Sequence, residues 1–159
     1  MNQKIKKNFE KKKLLVEFER KIKQVFFSRL ICERFQDKYK LHTQVFVQEL
    51  KKVIQQKQLS TQLSKQLIAG AYFYHIGCCN LINKNEVHED IDQHLASCFQ
   101  LSAIKLERFC CYHFPKVFSQ FELLELIQAL EKQATPKNLK APLEVILYKT
   151  ANLTWQQFL

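Results

Sequence analysis

Glycine and proline are scarce: the 159 residues hold two glycines and three prolines. So few turn-makers exclude an architecture of many short strands and tight hairpins, and favour helices joined by short polar loops. No stretch alternates apolar and polar residues convincingly, so no strand is expected. No apolar run approaches the roughly 20 residues that span a bilayer. The Lys-rich N-terminus lacks the uninterrupted apolar core of a secretory signal, and a cytoplasmic location is the default expectation. Cys-x-x-Cys pairs are absent too. The six cysteines are Cys32, Cys78, Cys79, Cys98, Cys110 and Cys111, and two pairs of them are adjacent. Adjacent cysteines suit neither mutual pairing nor a shared metal, so buried thiols acting as small hydrophobes are expected. No Gly-rich phosphate loop and no Gly-x-Ser-x-Gly elbow occurs.

What is present is apolar bulk and positive charge. A hydrophobic fraction of 47% with 13 phenylalanines marks a folded chain of about one domain. The formal charge of +10 directs attention to acidic partners: nucleic acid, an anionic membrane surface or an acidic protein. Six lysines against one acid, Glu10, make residues 1–13 a basic arm or a frayed helix start. Lys11, Lys12, Lys13, Arg20 and Lys21 are the candidate nucleic-acid contacts, with Arg29 and Arg34 beyond them. Phe26, Phe27 and Phe35 between them would stack on single-stranded bases, or pack into the core as their helical spacing suggests.

The pattern predicts an all-α, single-domain bundle of about six to seven helices over residues 14–159. The first runs from Leu14, continuing or kinking near Cys32 to Phe35. The second starts near Leu41 and runs to Ile54. Ser60 caps a third, through Leu63 to Gly77. Asn80 to Asn85 is a loop, and Glu86 to Asp92 opens a fourth helix ending near Leu101. A fifth covers Ser102 to His113, a sixth Phe118 to Gln133, and Pro142 opens the last.

The chain is organised around residues 67–77, Leu-Ile-Ala-Gly-Ala-Tyr-Phe-Tyr-His-Ile-Gly. Both glycines lie in this least polar run. A helix apolar on all sides is a central one. Gly77 is expected to end it in the left-handed conformation that glycine takes readily. The run closes on a tandem Tyr74-His75, which is either packed and hydrogen-bonded or part of a site.

Tyr74-His75-Ile76-Gly77 resembles the His-Asp-Ile-Gly signature of the HD metal-dependent phosphohydrolase superfamily. The resemblance covers about residues 40–155. It implies a helical domain whose metal ligands are a His, a tandem His-Asp on a buried helix about 30 residues later, and an Asp near the end. Here those positions hold His42, Tyr74-His75 and Asn152 after Ala151, so His42 alone keeps its family identity. Leu81-Ile82-Asn83-Lys84 followed by His94, and Tyr112-His113, look like the HD-GYP branch that hydrolyses cyclic di-GMP. The Gly-Tyr-Pro segment that names the branch is absent, and Cys78 stands where a lysine is usual.

The substitutions change the chemistry. An imidazole offers one lone pair and cannot bridge two metals as a carboxylate does. A phenol with pKa about 10 stays protonated and is a poor ligand. Asn152 supplies only a neutral amide oxygen. A site activating water between two metals about 3.5–4 Å apart is therefore not expected. The chain reads as a degenerate HD-like module, without a cofactor, that binds a protein or a nucleotide in a residual pocket for signalling or regulation. Two alternatives stand. His42, His75, His94 and His113 could converge on one Zn²⁺ or Fe²⁺ in a phosphohydrolase with unusual ligands. The basic surface could instead bind nucleic acid. Cys78 or Cys79 beside His75 could form a thiolate–imidazole pair.

Overall fold

The computed structural model describes residues 2–25, 37–77 and 91–158. Among them are six α-helices and no strand: α1 (Gln3–Val25), α2 (Asp37–Gln56), α3 (Thr61–Phe73), α4 (Ile91–His113), α5 (Gln120–Glu131) and α6 (Pro142–Trp155). Short 3-10 turns follow α5 and α6. The chain is an all-α bundle, as its sparse turn-makers and helical periodicity predict. The expected kink near Cys32, the Asn80–Asn85 loop and the acidic start at Glu86 lie outside the described residues, as do Phe26, Phe27 and Phe35.

α3 is the hub: it packs against all five other helices. Ser60 caps it, its Oγ accepting the Leu63 N–H at 3.2 Å. Every residue from Gln66 to Gly77 is buried, which is why this helix can be apolar all round. Gly70 lets α6 come close, since a Cβ there would sit 3.0 Å from Leu147.

Gly77 departs from the expectation. No glycine has a positive φ, so Gly77 does not close α3 in the left-handed conformation. α3 ends at Phe73, and Tyr74 to Gly77 continue as turn and 3-10 backbone. The glycine is required by proximity instead. A Cβ would collide with the Cys98 carbonyl of α4 and lie 2.8 Å from the Ser102 nitrogen.

Ser102 also explains a second difference. The fourth and fifth helices expected on either side of it are one 23-residue helix, α4. Its hydroxyl does not cap a new helix but accepts the Gly77 N–H at 2.8 Å, bracing α4 on the end of α3. Nothing between Leu101 and Ser102 removes a backbone donor, so the helix runs on.

Of the residues read as a basic arm, 1–13, those from Gln3 onward form the first half of α1. The helix anchors further on, where Phe18 and Ile22 are fully buried. Phe18 meets Phe114 and Phe118 edge-on at 5.1 and 5.2 Å. Ser119 caps α5, and Pro142 opens α6. Cys98 and Cys110 are buried like small hydrophobes, burial and then Cys111 pushing the Cys110 thiol up to about 12. No helix among the described residues is long and apolar enough to cross a membrane.

Candidate functional site

The ends of three helices meet around one cavity. α2 supplies Tyr39 and His42, one turn apart. The end of α3 supplies Tyr74 and His75. α6 supplies Tyr148, Ala151, Asn152 and Trp155 from one face, at the three- and four-residue spacing of a helix. Phe99 of α4 and Gln133 of the turn after α5 complete a wall around about 410 Å³.

His42 and His75 are both buried and bond directly to each other, His42 Nδ1 to His75 Nε2 at 2.7 Å. His42 Nε2 lies 3.1 Å from the Ala151 carbonyl and 2.8 Å from Thr154 Oγ1. These partners determine where the protons sit. A carbonyl oxygen only accepts. The one proton of the Thr154 hydroxyl goes to the carbonyl of Thr150 at 2.8 Å or Ala151 at 3.0 Å, leaving its oxygen to accept from His42. His42 therefore carries its proton on Nε2. Its Nδ1 holds the lone pair, so His75 donates from Nε2, leaving the His75 lone pair on Nδ1. The two rings form a one-directional relay, from α3 through α2 to the last turn of α6.

Electrostatics agree with neutral rings. Burial, and then the neighbouring His42, drives His75 down to about 3. Burial also lowers His42, against a smaller upward pull from its bond to the Ala151 carbonyl. Both are uncharged at neutral pH.

Aromatic rings surround the relay. Trp155 stands edge-on to His42 at 4.8 Å and stacks on Tyr39 at 5.7 Å with planes 12° apart. Tyr39 in turn lies 4.8 Å from His75. Phe46 backs His42, and Phe158 closes the far side at 5.8 Å. The Tyr74 hydroxyl donates to Gln133 Oε1 at 3.3 Å. Gln133 is oriented by its own amide donors, to the carbonyls of Ala129 and Glu144. None of the described residues lining the cavity carries a formal charge at neutral pH.

Of the candidate residues, His42, Tyr74, His75 and Asn152 face this one cavity. His94 lies on α4, and its side chain is outside the described part of the structure. His113 is at the other end of α4, its ring against Phe109 at 4.9 Å and Tyr112 at 4.8 Å, and does not line the cavity. The convergence of His42, His75 and His113 on one ion is thus not what the geometry shows. A bound ion would sit about 2.0–2.1 Å from each ring nitrogen, but the His42 lone pair points at a proton of His75. Among the described residues no three His, Cys, Asp or Glu side chains are grouped to hold a metal. Cys78 and Cys79 lie outside the described residues.

Of the basic candidates, Lys12, Lys13 and Arg20 are exposed. Lys21 folds over the Phe114 ring at 5.0 Å. The Lys11 side chain is not among those described.

Thr154, Trp155, Tyr39 and Gln133 were not foreseen as site residues. Tyr39 is one turn before His42, and Trp155 is one turn beyond Ala151-Asn152, so helical spacing held their signal. Nothing in the sequence marks Gln133. No family model, no curated protein and no solved structure matches the chain.

Proposed function

We propose that this chain is a non-catalytic, HD-like helical module whose cavity binds a flat, uncharged ring, such as the base of a nucleotide or a ring presented by a partner protein. The observation that carries the reading is the relay itself. The two histidines that the HD resemblance matches to metal ligands bond to each other, and His42 also bonds to α6, which supports a task of shaping a wall rather than ligating. The rings of Tyr39, Tyr148 and Trp155 line the cavity, and one ring-on-ring contact with a ligand contributes about 1 kcal/mol. Asn152 and Gln133 offer neutral amide donors and acceptors of the kind that read a base edge. A half-open site of about 410 Å³ suits a single heteroaromatic ring system with its substituent left outside. The absence of cations from the described wall supports binding the ring rather than its phosphates.

Trp155 is the only tryptophan and lines the cavity. Titration of nucleosides and nucleotides should therefore quench its fluorescence saturably, and Asn152→Ala should weaken binding about tenfold by removing a base-edge hydrogen bond. Unchanged fluorescence across that series rejects a nucleotide base as the occupant. The whole reading is rejected by a purified protein that holds one equivalent of zinc or iron, loses it in His75→Ala and hydrolyses a phosphate ester. That outcome would establish the phosphohydrolase alternative.

A further inference from the structure

α1 leads a double life that the cavity does not explain. From Phe18 onward it packs on the core, but from Asn2 to Leu14 every side chain described is exposed. Ile5 and Phe9 in that free half, and Val16 just beyond it, are 59%, 70% and 67% exposed. Spaced by four and seven, they fall within about 40° of one another at roughly 100° per residue. Phe18, nine residues beyond Phe9, is about half a turn round on the buried side. The helix therefore has two apolar faces, and the outer one has no partner among the described residues.

Its surroundings state what would cover it. Lys12, Lys13, Arg20 and Lys23 are exposed and lie within about 60° of Phe9 around the helix. The acids Glu10 and Glu17 sit about 80–100° away, and Glu19 is ion-paired with Lys51. The outer face therefore interleaves three apolar side chains with four exposed cations along the helix. A second copy would bring those cations against their own kind. A nucleic acid would take the lysines but leave Ile5, Phe9 and Val16 in water. An anionic bilayer surface satisfies both, with phosphates for the cations and an acyl boundary for the apolar side chains.

We infer that the outer face of α1 docks the protein on an anionic membrane surface, with Ile5, Phe9 and Val16 inserted and Lys12, Lys13, Arg20 and Lys23 on the headgroups. This goes beyond the cavity reading and stands or falls without it. The test is sedimentation of the full chain with vesicles of phosphatidylserine and phosphatidylcholine against pure phosphatidylcholine. Affinity for the anionic vesicles should be at least about tenfold higher. It should fall about tenfold in Phe9→Ser and about tenfold in Lys12→Gln/Lys13→Gln, with the helical circular dichroism unchanged because these side chains touch no core. Equal binding to both vesicles overturns the inference, as does full binding by Phe9→Ser. So does binding to duplex DNA that exceeds vesicle binding and survives Phe9→Ser, or a dimer that Phe9→Ser disperses in a protein that ignores vesicles.

Discussion

At its N-terminus α6 is held by a charge, Glu144, and at its C-terminus by two neutral rings, His42 and His75. Glu144, at the third helical position, reaches back to the backbone N–H groups of Lys140 at 2.8 Å and Ala141 at 3.1 Å. This is the carboxylate half of a capping box. Lys132 donates to its other oxygen at 2.8 Å. Burial alone would raise this carboxyl, but the Lys132 and backbone bonds outweigh it and hold it below its ordinary value. At the other end no cation or carboxylate stands among the described residues lining the cavity. Groups buried there are affordable only if neutral and mutually bonded. A buried charge needs a resident partner, and Glu144, which lines a second cavity of about 360 Å³, has Lys132 as its own. The histidine end uses uncharged donors and acceptors that are already bonded to one another.

The contrast breaks most sharply at His42. His42→Ala leaves the buried His75 donor without its acceptor and opens a cavity. We expect a loss of about 4 kcal/mol in urea unfolding. A loss under about 1 kcal/mol would mean that the relay adds little. Glu144→Ala removes three bonds to one carboxylate and should cost about 3 kcal/mol, read in the same way.

The two ends should also separate by pH. His42 and His75 both titrate below 6.5 in the folded protein, His75 at about 3. The unfolded chain therefore takes up protons that the folded one refuses. The stability they confer is complete above about pH 6.5 and declines as pH falls toward 3. Glu144 titrates below 4.5, so its contribution persists until the pH drops under that value. Between pH 7 and 5 only the histidine end weakens, by about 2 kcal/mol. That loss should persist in Glu144→Gln and vanish in the double variant His42→Leu/His75→Phe, in which both partners are apolar. Thr154→Val is the mildest probe: the Ala151 carbonyl still accepts from His42, so about 1 kcal/mol is expected by thermal unfolding.

Much of this arrangement was legible beforehand, for reasons particular residues make plain. The run around Gly70 is apolar on every side, which only a hub helix tolerates, and α3 is that hub. The resemblance drew His42, His75 and Asn152 together, and they share a cavity. The direct bond between the two rings was not readable, because tens of residues separate them and sequence carries no register between helices. Trp155 follows Asn152 by one turn on the same face, and Thr154 bears on the site only through His42, a contact between helices that sequence does not carry. Gly77 misled because glycine near a helix end suggests a left-handed cap, whereas here the backbone of α4 takes the space a Cβ would need. The helix boundary placed at Ser102 misled too, since its hydroxyl braces Gly77 against α4, which is one continuous helix.

The most direct test of the neutral relay is a long-range ¹H–¹⁵N correlation spectrum of the histidine rings at about pH 6, below the usual imidazole value of about 6.5. Two rings should appear as neutral tautomers protonated on Nε2, with a scalar coupling from His75 Nε2–H across the hydrogen bond to His42 Nδ1. Doubly protonated signals for either ring, or His42 protonated on Nδ1, would contradict it.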